Sequence, residues 1–244
     1  MKKYGLIGKT LGHSFSQRYF TDKFKAEDID ARYDNYELPD ISKLITLIAS
    51  TPHLEGLNVT IPYKQAVLPM LNSLSDDARE IGAVNVIRIS DMRGFNTDAI
   101  GFSQSIRPLL RTHHKAALVL GTGGASRAVC HALRQMSIMP QLVSRTPQDD
   151  NIIRYSDIDL DTIQQHTVVV NCTPLGTYPH IDTCPPLPYH MLTSRHLLFD
   201  LVYNPSETTF MRYGRMQGAT TKNGYEMLVL QAEAAWQIWN SKNI

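Results

Sequence analysis

The run Lys115-Ala-Ala-Leu-Val-Leu-Gly121-Thr-Gly123-Gly124-Ala125-Ser-Arg127 constrains the fold more than any other stretch of the chain. A short β-type apolar segment feeds a glycine turn, and the turn opens a helix. Such a turn aims unpaired backbone N–H groups and the positive end of a helix at one point, which suits a phosphate. The glycines at 121, 123 and 124 let the backbone approach a pyrophosphate that side chains would hold off. A dinucleotide cofactor is the ligand this pattern favours, and a redox enzyme the matching activity. Close packing of helix on strand also uses such glycines. The spacing departs from GxGxxG, because Ser126 holds the last position and Gly124 is additional.

The flanking sequence repeats the same rhythm. Strands are expected at Ala116–Leu120, Gln141–Ser144, Thr167–Asn171 and Leu197–Val202, with helices over Ala125–Met136, Leu160–Gln165 and Ser206–Gln217. That alternation is Rossmann-like, with ligands beyond the carboxyl ends of the strands. The proline-rich segment Tyr178–Pro188 reads as a long loop. The first hundred residues also alternate: strands at Tyr4–Ile7, Arg32–Glu37 and Gly56–Thr60, and helices at about Gln17–Lys25 and Ile41–Ala49. Pro62 suits the start of a further helix. Ala83–Ile89 and Gly94–Asn96 flank a turn at Ser90–Arg93 and read as a hairpin, and Asp98–Leu110 as a helix. The expectation is α/β throughout, with a largely parallel first sheet covered by helices on both faces.

A final helix is expected from Tyr225 to about Asn240, capped by Asn223 with Glu226 reaching back. Gln231 shares its apolar face with Leu228, Ala235 and Trp239. From the pattern alone this amide is a satisfied core residue or a ligand contact, with the core reading preferred.

Composition excludes several classes. With 24 basic against 23 acidic residues and no basic stripe, nucleic acid and membrane surfaces have no electrostatic support. The N-terminal apolar stretch, broken by Lys9, is too short for a signal peptide, and no apolar run approaches the ~20 residues of a membrane span. Cys130, Cys172 and Cys184 form an odd set without CxxC, which suits a reducing, cytoplasmic location. The nine histidines show no ligand spacing, so no metal is expected. His113-His114 reads as a solvated loop.

Where a dinucleotide's ribose would be read, about 20 residues beyond the first glycine, the chain has Val143-Ser144-Arg145-Thr146 rather than Asp or Glu. Arginine pairs with a 2′-phosphate and threonine can donate to it, whereas a carboxylate would repel it. NADP is therefore favoured over NAD. The plainer alternative makes Arg145 a solvated charge. Asp149 and Asp150 would weaken phosphate binding if they folded back.

With the cofactor half placed, other stretches become recognisable: Gly12-His13-Ser14-Phe-Ser16, Asn58-Val-Thr60-Ile-Pro-Tyr-Lys64, Gly82-Ala-Val-Asn85 and Asn96-Thr-Asp98. Later come Asn171-Cys-Thr173-Pro174-Leu-Gly176, Asp200-Leu-Val-Tyr203-Asn-Pro205 and Asn223-Gly224-Tyr-Glu-Met227-Leu-Val-Leu-Gln231-Ala232. In this order, and with the glycine turn and Ser144-Arg145-Thr146, they resemble the shikimate dehydrogenase family over essentially the full length.

The resemblance implies NADP-linked reversible reduction of 3-dehydroshikimate to shikimate, in the chorismate route to aromatic amino acids. It implies two domains: residues 1–98 and 223–244 for substrate, and 99–222 for NADP. Lys64 and Asp98 match the catalytic pair, a lysine to give or take the proton and a carboxylate to orient it. Local sequence alone makes Asp98 a helix cap and puts Lys64 in a first helical turn, where the dipole disfavours a cation. Ser14 and Ser16 match contacts to the substrate carboxylate, with helix capping as the alternative. Asn58, Thr60, Asn85 and Gln231 match residues that bind ring hydroxyls. Tyr203 resembles a residue bordering substrate and nicotinamide, and otherwise is an ordinary half-buried tyrosine. The cofactor set carried over is Gly121, Thr122, Gly123, Gly124, Ala125, Ser144, Arg145, Thr146, Thr173 and Gly224.

Four positions depart from the family pattern. Thr122 stands for Ala, Ser144 for Asn and Gln17 for Pro, and no second basic residue follows Arg145, so NADP selectivity is expected to be less strict. A quinate/shikimate dehydrogenase using NAD is the nearest alternative, against which the Ser14-x-Ser16 pair argues. A non-catalytic sensor of cofactor or shikimate is the alternative of another class, against which Lys64 and Asp98 argue. The expected partner is the small-molecule substrate, and monomer and homodimer are both compatible with the sequence.

Overall fold

A computed structural model of the chain describes residues 1–12 and 14–241. The motif position His13 lies outside the described residues. The chain forms two compact units, Met1–Thr97 with the segment from Gln231 onward, and Asp98–Leu230.

The first unit comprises β1 (Lys2–Gly8), α1 (Phe15–Ala26), β2 (Ala31–Glu37), α2 (Leu44–Ser50), β3 (Leu54–Val59), α3 (Tyr63–Ala66), β4 (Ser73–Leu74), α4 (Asp76–Ile81), β5 (Val86–Arg88) and β6 (Arg93–Phe95). Its sheet runs β2-β1-β3-β5-β6-β4. The strands β2, β1 and β3 are parallel, but β5 is antiparallel to both β3 and β6. The sheet is thus mixed rather than largely parallel. The cause is the expected hairpin, whose tight turn reverses the chain without a crossover helix. Alternation along the strands puts Tyr4, Leu6, Val86 and Phe95 into one core with Phe20 and Phe24 of α1. Ile7, Leu57, Val59 and Ile87 enter a second core with Leu44 and Val67. Helical residues therefore cover both faces, as expected.

The helix α1 begins one residue earlier than the capping serine expected at 16. The Ser14 hydroxyl accepts from the Gln17 N–H at 3.1 Å, so Ser14 is the cap.

The second unit comprises α5 (Asp98–Ile106), β7 (Ala116–Leu120), α6 (Gly124–Gln135), β8 (Met139–Ser144), β9 (Ile152–Arg154), α7 (Leu160–Gln165), β10 (Val168–Asn171), β11 (Leu197–Asp200), α8 (Thr209–Met216) and β12 (Thr220–Lys222). All six strands are parallel, in the order β9-β8-β7-β10-β11-β12. This is the doubly wound order, whose direction reverses between β7 and β10. β7, β10 and β11 are almost wholly buried apolar runs, as strands covered on both faces must be. The helix expected from Ser206 starts later because Thr208 caps it, accepting from the Met211 N–H.

His114 corrects the solvated-loop reading. It is buried, its Nδ1 accepts from the Arg111 N–H, and its Nε2 sits 3.2 Å from the Arg195 carbonyl. Burial pushes its pKa down.

The last helix, α9 (Tyr225–Asn240), starts in the second unit and ends in the first. The Asn223 side chain accepts from the Tyr225 N–H, while Glu226 pairs with Lys222 instead of reaching back. Gly224 donates its N–H to the Val202 carbonyl, which anchors the helix start on the second unit. From Gln231 onward, Ala232, Ala235, Ile238 and Trp239 belong to the first core, and Trp239 Nε1 donates to the Ile87 carbonyl.

Candidate functional site

In the first unit a chain of buried uncharged polar groups links four elements. The Tyr33 hydroxyl, on β2, donates to Asn58 Oδ1 on β3 at 2.7 Å, and the Ser16 side chain lies beside it. Asn58 Nδ2 donates to the Asn85 carbonyl. The Asn85 side chain accepts from the Thr97 N–H at 2.7 Å and donates to Thr97 Oγ1 at 3.0 Å. Gln231 Oε1 accepts from both Asn85 Nδ2 and Thr97 Oγ1 at 3.4 Å. Asn58, Asn85, Thr97 and Gln231 are all at most 7% exposed. Three expected ligand residues, Asn58, Asn85 and Gln231, are therefore members of one network, and Ser16 lies beside it.

Nearby backbone bonds place the remaining expected residues of this unit. The Thr60 N–H donates to the Ile7 carbonyl, and the Thr60 carbonyl accepts from the Tyr63 N–H at the start of α3. Lys64 is the second residue of α3 and half-buried, and its carbonyl accepts from the Val84 N–H at 2.7 Å. Ser14 and Thr60 are also half-buried. Asp98, the first residue of the second unit, follows Thr97 in the chain, opens α5, and is buried.

In the second unit the glycine turn leaves β7 as expected. Gly121 has φ +106°, and a Cβ there would come within 3.3 Å of Thr173 Cγ2. A side chain at 121 would therefore be strained in its backbone as well as crowded. At Gly123, the cap of α6, nothing lies within 4 Å of where a Cβ would be, and no side chain caps the helix. The start of this twelve-residue helix thus has room beside its glycine cap and no side-chain cap bond. That cradle fits a phosphate, and the residues present fit a dinucleotide. Ser144 ends β8, and its hydroxyl accepts from the Thr146 N–H, while Arg145 and Thr146 are exposed. Asp149 turns onto the Asn151 N–H at 2.8 Å.

A second network ties the loops after β10 and β11. Asn171 Oδ1 accepts from the Thr173 N–H and hydroxyl, at 3.0 and 2.6 Å. Asn171 Nδ2 donates to Asp200 Oδ1 at 2.9 Å, which also accepts from the Val202 N–H, and Asp200 Oδ2 accepts from the Thr208 hydroxyl at 2.5 Å. Asp200 is fully buried, and desolvation lifts its carboxyl to about 6 despite these donors. Tyr203 lies three residues beyond Asp200 and is 36% exposed, and partial burial raises its pKa. Gly224 is required by packing, since a Cβ would run into the Leu201 carbonyl.

Residues 6–87 match the family model described as the shikimate dehydrogenase substrate binding domain. A shikimate dehydrogenase (NADP(+)) of Methanosphaera stadtmanae is 33% identical, over 98% of this chain and 91% of the relative. One from Clostridium beijerinckii is 36% identical, over 98% and 92%. The chain belongs to the shikimate dehydrogenase family. Among solved structures, shikimate 5-dehydrogenase of Thermus thermophilus in complex with NADP(H) and shikimate superposes with a TM-score of 0.86. It is 29% identical, covering 98% of this chain and 94% of that one.

Five residues of the two networks, Tyr33, Thr97, Asn171, Asp200 and Thr208, carry no assigned role in the sequence. Thr97, Asn171 and Asp200 sat inside quoted motifs without a role, and their buried polar character was the available signal. Tyr33 carried no local signal, because a tyrosine in an alternating strand is ordinary.

Proposed function

We propose that this chain catalyses the reversible NADPH-dependent reduction of 3-dehydroshikimate to shikimate, within chorismate biosynthesis. The observation that carries this reading is the uncharged network of Tyr33, Asn58, Asn85, Thr97 and Gln231, with Ser16 beside it. A ligand bearing several hydroxyls needs converging amides and hydroxyls, and such a site rejects analogues that leave a buried partner unpaired. Family membership and full-length likeness to NADP-linked relatives support the same substrate.

In this reading residues 1–98 with 223–244 are the substrate domain and residues 99–222 the cofactor domain, bounds that differ from the two compact units at Asp98 and at residues 223–230. Reduction requires a hydride at the ring carbonyl carbon, which a reduced nicotinamide supplies when bound. Lys64 gives the proton to the carbonyl oxygen and takes it back from the hydroxyl in oxidation, while Asp98 orients the ammonium. Ser14 and Ser16 bind the carboxylate. Ser14 can do so while capping α1, because capping uses an oxygen lone pair and leaves its proton. Thr60 and the three amides of Asn58, Asn85 and Gln231 take the ring hydroxyls, and Tyr203 borders the reacting ring. Gly121 to Ala125, with the first turn of α6, would hold the pyrophosphate. Ser144, Arg145 and Thr146 would hold the 2′-phosphate, with Thr173 and Gly224 completing the cofactor set. Three unpaired cysteines support a cytoplasmic location.

Absorbance of the reduced nicotinamide, followed with shikimate or quinate and with each oxidised cofactor, tests the proposal. Turnover on shikimate with NADP+ is expected to exceed the other combinations. Faster turnover on quinate with NAD+ would reject it, and no turnover on any pair would favour a binding protein.

A further inference from the structure

The Tyr33 hydroxyl donates to Asn58 Oδ1, with the Ser16 side chain beside it. It is 3% exposed, and burial raises its pKa well above the ordinary value, so it remains a proton donor at any working pH. Its one hydrogen-bond donation goes to Asn58 Oδ1.

That bond fixes which way the Asn58 amide faces. With Oδ1 held by Tyr33 and one Nδ2 proton on the Asn85 carbonyl at 3.3 Å, the second Nδ2 proton is left over. A flipped amide would set Oδ1 against the Asn85 carbonyl, two acceptors facing each other, and would take away the acceptor that the Tyr33 proton now uses. Asn58 is thereby committed to offering a donor, and the ligand oxygen it meets must present a lone pair.

We propose that Tyr33 is a positioning residue for substrate specificity, holding Asn58 as an N–H donor to a ring hydroxyl. This rests on the polyhydroxylated-acid reading of the first unit. Tyr33 touches the substrate only through Asn58, so its loss acts on substrate recognition rather than on chemistry.

Tyr33→Phe tests this cleanly, because the ring stacks on Phe20 at 4.7 Å between centroids and keeps that contact without its hydroxyl. In the ligand-free protein, NMR should show the Asn58 side-chain amide protons exchanging with water about tenfold faster in the variant, as expected for loss of one buried hydrogen bond. KM for shikimate should rise about five- to tenfold, with kcat within about threefold and KM for NADP+ unchanged. The KM rise should vanish when Asn58→Ala is already present, since the two residues act as one. Unchanged amide exchange, unchanged KM, or an equal rise in the Asn58→Ala background overturns the proposal. If the wild-type protein does not oxidise shikimate, the activity reading falls, and the amide measurement, which needs no substrate, still decides the role of Tyr33.

Discussion

Asn58 in the first unit and Asn171 in the second are both buried asparagines at the carboxyl end of a parallel strand, yet their valences are spent differently. Asn171 uses everything inside the protein. Its oxygen accepts twice from Thr173, and its nitrogen donates to Asp200 and to the Leu175 carbonyl. Asn58 accepts from Tyr33, donates once to Asn85, and has one N–H to spare. The first arrangement holds loops in place, and the second leaves something for a ligand to take. The surrounding groups follow suit. The first unit's network is uncharged, whereas the second centres on a carboxylate that three donors satisfy but burial still disfavours.

The comparison can be broken at its strongest point by Lys64→Ala. If the first unit holds the acid–base group, kcat for shikimate oxidation should fall by about a hundredfold to ten-thousandfold, with substrate affinity changing less. Near-normal turnover would remove Lys64 from the chemistry. Next in size, Arg145→Ala should raise KM for NADP+ by about ten- to a hundredfold while leaving NAD+ little changed, because a charge-assisted pair with phosphate is lost. Equal loss with both cofactors would make Arg145 a solvated charge. Asn85→Ala should raise KM for shikimate about tenfold and reduce discrimination against an analogue lacking a ring hydroxyl. Intact discrimination would show that this network only packs.

The smallest effect concerns Asp200. Its carboxyl is raised in the folded protein to about 6 from 3.8. The stability this shift contributes is fully present below the unfolded value and is lost as pH rises through about 6. Wild type should therefore gain on Asp200→Asn by about 1 kcal/mol between pH 7 and pH 5, measured by urea unfolding. A pH-independent difference would mean that Asp200 is not the titrating centre of its network.

Much of this was legible beforehand where long-range structure merely repeats local pattern. The helices Leu160–Gln165 and Tyr225–Asn240 are found at their expected bounds, and the glycine turn is where the strand–helix rhythm put it. Elements of two or three residues, β4, β9 and β12, were not legible, because pairing with a neighbouring strand creates them rather than any periodicity. His114 looked solvated because nothing near it in sequence announces Arg195, which supplies its partner from 81 residues away. The site divides in the same way. The family resemblance pointed to Asn58, Asn85 and Gln231 singly, but their mutual bonding spans up to 146 residues and is a property of the folded chain.

The return of α9 to the first unit has an effect on how the protein is born. Ala232, Ala235 and Trp239 fill a core whose strands are translated before the second unit. On a ribosome the Rossmann-like unit is complete once Leu230 is out, while the older half still lacks the part of its core that the segment from Gln231 onward supplies. Nascent chains stalled at Leu230 should accordingly be the ones that chaperones capture.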